Sequence, residues 1–346
     1  MTKVIETSQE ITKYKVEEGR RLFSATHEEI LSGLTTDVYF VKTKEILKQI
    51  GHDQTVVTAE VFARRPGVVA GIEETLNLLR DLNVEVWSLD EGERFEPKDV
   101  IMRIKGSYSE FGIYETALLG VLASSTGWAT AAAQVKEVAG DKPFFCFGAR
   151  HVHPAVAPVM ERAAIIGGAQ GAACILGAKL LGLEPVGTVP HALFLLIGDT
   201  LEGAQAYDRI MPPESPRTIL VDTFKDEVEE SLRLAEAMGE NLAGIRLDTP
   251  SERGGVTPGL VSEVRAKLDL AGFQHVKIFV SGGLTLEKIK SLSEAGADSF
   301  GVGSYISAAP PIDMTMDIKE VDGKPVAKRG RIPGLTPAPE LKKRLG

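Results

Sequence analysis

The chain has 346 residues, of which 43% are hydrophobic and 25% charged, and its formal net charge is −9. This length and composition are typical of a globular protein with a large core and two domains, and they exclude a mainly disordered chain. The negative balance argues against sequence-independent binding to nucleic acid or to anionic membranes, because such binding needs clustered lysine and arginine.

Neither a targeting segment nor a membrane span is predicted. The first residues lack the apolar stretch of a signal peptide, and no later segment approaches the roughly 18 consecutive apolar residues of a membrane span. The predicted location is therefore the cytoplasm. Cys146 and Cys174 lack the spacing of metal ligands, which predicts two free thiols and neither a disulfide framework nor a zinc site.

The first third of the chain predicts an α+β lobe. A helical pattern covers residues 27–50, with a cap-like interruption at residues 35–37. Strand, helix and strand patterns follow in the order 56–62, 72–81 and 84–89. Turn signals then alternate with short apolar runs over residues 91–106, as in small β-sandwich modules. A long helical tract over residues 115–140 leads into the second half.

From residue 143 the pattern changes to alternating strands and helices, which predicts a parallel sheet. A strand over 144–149, a helix over 155–166 and a poorly defined strand over 167–173 come first. Five further apolar runs end near residues 191, 223, 249, 283 and 304. These seven candidate strands, six of them better defined, predict an α/β fold with an irregular TIM-like barrel that need not be complete. The carboxyl ends of barrel strands share one face, so polar residues there should share one pocket.

The last part of the chain predicts a return to the first lobe. Residues 314–328 read as a hairpin with Asp322-Gly323 as its turn. A hairpin outside the barrel returns most easily to the N-terminal lobe, and the residues after it predict a loose tail. The predicted domains are residues 1–140 with 311–346 for the lobe, and residues 141–310 for the barrel.

Two successive strand ends are rich in glycine. Exposed backbone N–H groups followed by a helix start can face one anion, and in barrels the last two strand ends are the usual phosphate site. Glycine in tight turns is the alternative explanation. The predicted phosphate-binding residues are Ser281, Gly282, Gly283, Gly301 and Gly303.

Charged residues mark three other strand ends. Arg246 and Asp248 are two apart, so their side chains leave the same face of a strand and either meet a ligand together or form a structural ion pair. Asp222 is suited to Mg²⁺, a ribose hydroxyl or a histidine, unless it caps the next helix. His191 follows a proline and is suited to act as acid, base or phosphoryl acceptor.

The segment Phe147-Gly-Ala-Arg-His-Val-His153 follows the first barrel strand. Its two histidines lack a third ligand with zinc spacing, so contact with an anion is favoured over a metal. Arg150 is the preferred candidate for that contact, and the roles of His151 and His153 are left open.

Taken in order, these motifs resemble the nicotinate phosphoribosyltransferase family, part of the type II phosphoribosyltransferases. Thr36-Asp-Val-Tyr39 also resembles the N-terminal Asp-x-Tyr element of that family. The likeness spans roughly residues 30–330. The segments that carry it are 147–150, 187–191, 221–224, 245–248, 281–283 and 301–303.

The resemblance implies an ATP-coupled, ligase-type enzyme of NAD biosynthesis. Nicotinate and phosphoribosyl pyrophosphate would give nicotinate mononucleotide and pyrophosphate, with Mg²⁺ as cofactor and ATP as co-substrate. His191 falls on the family's transiently phosphorylated histidine. Asp222 would orient it or help hold Mg²⁺, which is bound mainly through the substrate, and Asp248 would contact the ribose hydroxyls.

The resemblance also implies how the ring is bound. Arg246, with Thr218, would meet the nicotinate carboxylate, and Thr188 is a further substrate-binding candidate. Phe147 and Tyr39 would stack on the two faces of the pyridine ring. Tyr39 would come from a second subunit, which implies a homodimer or a higher homo-oligomer.

Two other readings stay open. One is another phosphoribosyltransferase, for quinolinate or nicotinamide. Quinolinate would need extra cations for its second carboxylate, and the Arg-Lys-Thr strand exit of that enzyme is replaced here by Phe147-Gly-Ala-Arg150. Gln170, at a strand end where ring-recognition groups are expected, leaves the choice between nicotinate and nicotinamide less certain than the fold. The other reading is a non-catalytic relative that binds a phosphometabolite, which the intact charged residues argue against.

Overall fold

The computed structural model describes residues 3–346, so residues 1 and 2 of the predicted lobe lie outside the described residues. The chain forms two compact units, residues 3–130 with 310–346 and residues 131–309. None of the helices between residues 3 and 346 combines the length and apolar content that a bilayer crossing needs.

Strands and helices are numbered in chain order. The strands are β1 Val56–Ala63, β2 Gly67–Val68, β3 Val84–Ser88, β4 Arg94–Phe95, β5 Val100–Ser107, β6 Phe144–Cys146, β7 Thr218–Leu220, β8 Gly244–Leu247, β9 Lys277–Ser281, β10 Ser299–Val302, β11 Met314–Val321, β12 Lys324–Pro325 and β13 Lys342–Leu345. The α-helices are α1 Ser8–Lys13, α2 His27–Leu31, α3 Val38–Gln49, α4 Ile72–Leu79, α5 Tyr108–Phe111, α6 Glu115–Ala139, α7 Ala157–Ile166, α8 Ile175–Lys179, α9 His191–Ile197, α10 Thr200–Ile210, α11 Glu227–Met238, α12 Pro258–Leu270, α13 Leu286–Glu294 and α14 Ser304–Ser307.

The first unit is the predicted α+β lobe. Its sheet has six strands in the order β12-β11-β1-β5-β3-β13, and β2 and β4 form a separate pair. The predicted C-terminal hairpin is confirmed, because β11 turns into β12 and pairs antiparallel with β1. Asp322 and Gly323 both have positive φ, +46° and +72°, as a two-residue hairpin turn requires.

Residues 91–106 supply β4 and most of β5, which is a central strand of the lobe between β1 and β3. One prediction for this unit was wrong. The C-terminal residues are not a loose tail, because β13 pairs antiparallel with β3 and completes the sheet edge. Lys343 pairs with Glu85, and both Lys342 and Arg344 pair with Asp90, so the basic end of the chain is matched to acidic residues at that edge.

The second unit contains a parallel α/β sheet of five strands in the order β6-β10-β9-β8-β7. This confirms the predicted irregular α/β barrel class, but two of the seven candidate strands did not form. Residues 170–173 lie beside β6 without forming a regular strand: Gln170 N donates to Phe144 O, Cys146 N to Gly171 O and Ala173 N to Cys146 O, with an isolated bridge between Cys146 and Ala172. From the run at residues 186–191, Val186 N donates to Ala172 O. The first run is mainly glycine and alanine, and the second is bracketed by prolines, so neither favours a continuous ladder.

Candidate active site

Arg246 and Asp248 form the centre of the site at the end of β8. Arg246 Nη2 donates to Asp248 Oδ2 at 3.2 Å, and Arg246 Nε donates to Ser281 Oγ at 2.8 Å. The Ser281 hydroxyl in turn donates to Asp248 Oδ1 at 2.7 Å. The pair is therefore a real ion pair that Ser281, at the end of β9, holds from the neighbouring strand. Its side chains remain 15% and 21% exposed, so a ligand can still reach both.

Arg246 also forms one wall of a cavity. Its Nη1 donates to Thr188 Oγ1 at 2.9 Å, and its guanidinium carbon lies 5.5 Å from the centre of the Phe147 ring. Burial lowers its pKa, and Asp248 opposes this effect. Three of the five guanidinium N–H donors are engaged within the protein, which leaves two for a ligand. The cavity has a volume of about 260 Å³ and is lined by Phe147, Ala149, Arg150, Ala173, Gly187, Thr188 and Arg246.

His191 lies between two carboxylates. It is the first residue of α9, and its Nδ1 is 3.1 Å from Thr223 Oγ1. Its Nε2 is 3.6 Å from Asp222 Oδ2 and 3.7 Å from Asp248 Oδ2, which are ion-pair distances but too long for hydrogen bonds. About a third of the side chain, 35%, is exposed. The imidazole is thus oriented by protein groups and open to solvent on part of its surface.

Asp222 has an unusual environment for a carboxylate. Its side chain is only 2% exposed, and neither oxygen accepts a hydrogen bond from the described residues. Burial raises its pKa, while the nearby His191 works in the opposite direction. Two unsatisfied carboxylate oxygens fit a hard cation such as Mg²⁺. Residues 3–346 contain no group of three His, Cys, Asp or Glu side chains that could hold a metal by themselves.

The glycine-rich strand ends differ from one another. Gly282 and Gly283 have φ of +91° and +57° and form the loop between β9 and α13. Gly303 packs against His151, since a Cβ there would lie 2.8 Å from the imidazole. Gly301 lies inside β10, where a Cβ would lie 2.7 Å from the Phe147 ring. The prediction of Gly301 as a phosphate-loop residue is therefore corrected to a packing role beneath Phe147.

Thr218 and Tyr39 were also predicted to bind the substrate. Thr218 opens β7 and pairs with Gly244, whereas Arg246 pairs with Leu220 further along the strands. Thr218 therefore lies two residues nearer the amino end of β7 than the partner of Arg246, and its predicted contact with the nicotinate carboxylate remains a prediction. Tyr39 belongs to the first unit, is 56% exposed and donates to Asp37 Oδ2 at 3.3 Å. Its predicted stacking on the substrate ring remains a prediction.

Thr223 and Lys288 were not predicted at the site, and His151, whose role was left open, also lies there. Thr223 directly follows Asp222 and contacts His191. His151 Nδ1 is 3.1 Å from Ser307 Oγ, and burial together with Arg150 lowers its pKa. Lys288 Nζ donates to Gly283 O at 3.2 Å, which places a cation beside the glycine loop. A lysine one turn into the helix after a Gly-Gly pair was the available sequence signal for Lys288.

Sequence comparison matches the chain to two consecutive family descriptions. Residues 37–126 match "Quinolinate phosphoribosyl transferase, N-terminal domain", and residues 128–317 match the C-terminal domain of the same family. Together these matches cover strands β1–β10, the first four residues of β11 and all residues of the cluster around Arg246.

The similar proteins fall into two groups by name, nicotinate phosphoribosyltransferases and nicotinate-nucleotide pyrophosphorylases. Nicotinate phosphoribosyltransferase pncB1 of Mycobacterium tuberculosis (strain CDC 1551 / Oshkosh) is 28% identical over 340 residues, covering 86% of this chain and 75% of that protein. Nicotinate phosphoribosyltransferase of Bacillus subtilis (strain 168) is 32% identical over 319 residues, covering 80% of this chain and 64% of that protein. The crystal structure of nicotinate-nucleotide pyrophosphorylase from Pyrococcus furiosus is 46% identical, with a TM-score of 0.87 over 91% of this chain and 82% of that one.

Proposed function

The chain belongs to the quinolinate phosphoribosyl transferase family, within the type II phosphoribosyltransferases, and on this premise we propose that it is a nicotinate phosphoribosyltransferase of NAD biosynthesis. The pyridine nitrogen of nicotinate would bond to C1 of phosphoribosyl pyrophosphate as the bond from C1 to pyrophosphate breaks. We further propose that ATP hydrolysis is coupled to this transfer through His191.

The observation that carries the proposal is that Arg246 is held by protein side chains and also lines the cavity. Its guanidinium is fixed by Thr188, Ser281 and Asp248, yet it still lines the cavity beside the Phe147 ring. A planar ring with one carboxylate suits this arrangement, because the ring can stack on Phe147 while the carboxylate takes the free N–H donors. The names of the Mycobacterium and Bacillus relatives support the same substrate.

The charged groups fit the chemistry at the sugar. As the leaving group departs, positive charge develops near C1 and negative charge on pyrophosphate, so the site has to supply anions and cations at different points. Asp248 and Asp222 would face the ribose, and Arg150, which lines the cavity and forms no ion pair within residues 3–346, would face a phosphate group. No general base is required, because the pyridine nitrogen attacks with its own lone pair.

Mg²⁺ would be held by Asp222 and Asp248 together with oxygens of the substrate. The unsatisfied oxygens of Asp222 support this assignment. Magnesium commonly uses one or two carboxylates plus substrate phosphates, and it would neutralise charge on the leaving pyrophosphate.

The orientation of His191 supports the phosphohistidine step. Thr223 contacts one ring nitrogen, and the partly exposed ring also faces two carboxylates that can stabilise a positive imidazole. In that step ATP would transfer its terminal phosphoryl group to the imidazole and release ADP, and water would later release phosphate. Tyr39 of a second copy would close the ring site, so we expect a homodimer or a higher homo-oligomer in the cytoplasm.

Quinolinate is the second candidate substrate, favoured by the 46% identity to the Pyrococcus furiosus pyrophosphorylase and by the family description. It carries two carboxylates, so both Arg246 and Arg150 would be needed for the ring, and fewer cations would remain for phosphates. This difference makes nicotinate the better fit.

One assay separates the candidates. The purified protein is incubated with phosphoribosyl pyrophosphate, Mg²⁺ and either nicotinate, quinolinate or nicotinamide, with and without ATP, and the mononucleotide is quantified. We expect the highest kcat/KM for nicotinate and an increase with ATP. A preference for quinolinate with release of CO₂ would establish the second candidate, and no product with any of the three would favour a non-catalytic relative.

A further inference from the structure

Glu161 is a buried carboxylate that ties two loops together. It lies on α7 with 0% exposure. One carboxylate oxygen accepts from the backbone N–H of Ala149 at 3.2 Å, and the other accepts from the N–H of Cys174 at 2.6 Å. Burial raises its pKa, and the backbone N–H groups of both loops oppose that effect.

Both loops line the cavity beside Arg246. Ala149 and Arg150 belong to the 3₁₀ turn after β6, and Ala173 belongs to the loop before α8. Because one side chain holds both loops, its length sets the separation between them. Glu161 itself does not line the cavity, so any effect it has on a ligand must act through those loops.

We propose that Glu161 is a positioning residue. It fixes the turn that carries Arg150 and the loop that carries Ala173 at the separation that the substrate needs. The substrate part of this inference rests on the proposed function, whereas the link between the loops rests on geometry alone. A carboxylate suits this place because it only accepts hydrogen bonds, and both loops present donors. The close packing of α8, where a Cβ on Gly177 would lie 3.1 Å from Glu161 Cβ, leaves the side chain little freedom.

The substitution Glu161→Gln tests the link directly. The amide keeps the size of the side chain but turns an NH₂ group towards one of the two N–H donors. Because only one acceptor oxygen is left, hydrogen exchange should become about tenfold faster or more at one of the two amides, Ala149 or Cys174. The control is Glu230→Gln, another fully buried glutamate of the same unit, which contacts Arg233 and does not line the cavity. It should leave exchange at both loops unchanged. Unchanged exchange in Glu161→Gln would overturn the proposal.

A double-mutant cycle tests the effect on Arg150, with inorganic pyrophosphate as the probe and calorimetry as the measurement. Glu161→Gln and Arg150→Ala should each weaken binding about tenfold, and the double variant should be no weaker than Arg150→Ala alone, because residues that act as a unit are not additive. Fully additive losses would reject the positioning role. If Glu161→Gln does not fold, Glu161→Asp, which keeps the charge but shortens the reach, replaces it in both experiments.

The two proposals can fail separately. If the wild-type protein does not bind pyrophosphate, the proposed phosphate role of Arg150 is wrong, and the exchange experiment alone decides whether Glu161 links the loops. If wild type and Glu230→Gln bind alike and only Glu161→Gln is impaired, both proposals are supported.

Discussion

Gly282 approaches Asp248 so closely that a Cβ on Gly282 would lie 2.9 Å from Asp248 Oδ1. Gly282 also has φ of +91°, in the region that favours glycine. Space and backbone conformation therefore both require glycine here, and the loop after β9 is held directly against the carboxylate at the end of β8.

Gly282→Ala should displace Asp248 and lower kcat/KM for phosphoribosyl pyrophosphate about tenfold or more. The strained backbone alone should reduce the free energy of unfolding by about 1 kcal/mol or more. Gly272→Ala is the matched control, because Gly272 has φ of +89° with open space around it. Steady-state kinetics and denaturant melts should show similar destabilisation in both variants but loss of activity only in Gly282→Ala.

Arg246→Lys keeps the positive charge but removes the planar set of donors that reaches Thr188, Ser281 and Asp248 at once. We expect the nicotinate KM to rise about tenfold or more, with a smaller change in the KM for phosphoribosyl pyrophosphate. Arg233→Lys, on α11, is the control and should change neither value. An unaltered nicotinate KM in Arg246→Lys would assign the ring carboxylate to another residue.

His191→Ala should abolish phosphorylation of the protein by ATP. Wild type incubated with ATP labelled in the terminal phosphate should give an acid-labile, base-stable adduct, since phosphoramidates hydrolyse in acid. His275→Ala, a histidine whose Nε2 lies 3.3 Å from Gly239 O, should retain the adduct. Equal labelling of wild type and His191→Ala would remove the coupling proposal but leave the transferase reaction open.

Asp222→Asn should stabilise the protein at neutral pH while impairing activity. Burial raises the pKa of Asp222 above its unfolded value, so the charged carboxylate is disfavoured in the fold. Its contribution to stability is therefore present at low pH and lost as pH rises through the folded pKa. We expect a Tm about 2–4 °C above wild type at pH 7, with the difference shrinking as pH falls towards about 4, the ordinary pKa of aspartate.

The exposed Asp141→Asn serves as the control for Asp222→Asn and should show no such pH-dependent difference. Added Mg²⁺ and phosphoribosyl pyrophosphate should raise the Tm of wild type more than that of Asp222→Asn, because the carboxylate is a proposed ligand. A variant less stable than wild type at pH 7 would show that Asp222 has a stabilising partner instead.

Deletion of residues 340–346 should destabilise the first unit. It removes β13 from the edge of the sheet and the partners of Asp90 and Glu85. We expect a loss of about 1–3 kcal/mol, seen as a lower denaturant midpoint. Deletion of Gly346 alone should have little effect. An unchanged midpoint after the longer deletion would mean that the β13 pairing contributes little to stability.

Local sequence pattern was enough to predict the class of each unit and the charged residues at the strand ends. Alternating strand and helix patterns after residue 143 predicted a parallel sheet, because side-chain periodicity is a local property. The order of motifs from Phe147 to Gly303 also predicted which strand ends carry charge. Arg246 and Asp248 were predicted to share a face from their spacing alone, and they do.

Which of these residues meet, and what each one contacts, depends on the tertiary fold. The strand register pairs Thr218 with Gly244 and not with Arg246. Strand packing places Gly301 against the Phe147 ring. The pairing of β13 with β3, the buried bridge made by Glu161 and the unsatisfied oxygens of Asp222 all depend on residues distant in the chain. Local pattern cannot encode such contacts, because hydrogen bonds and burial are decided by which segments the fold brings together.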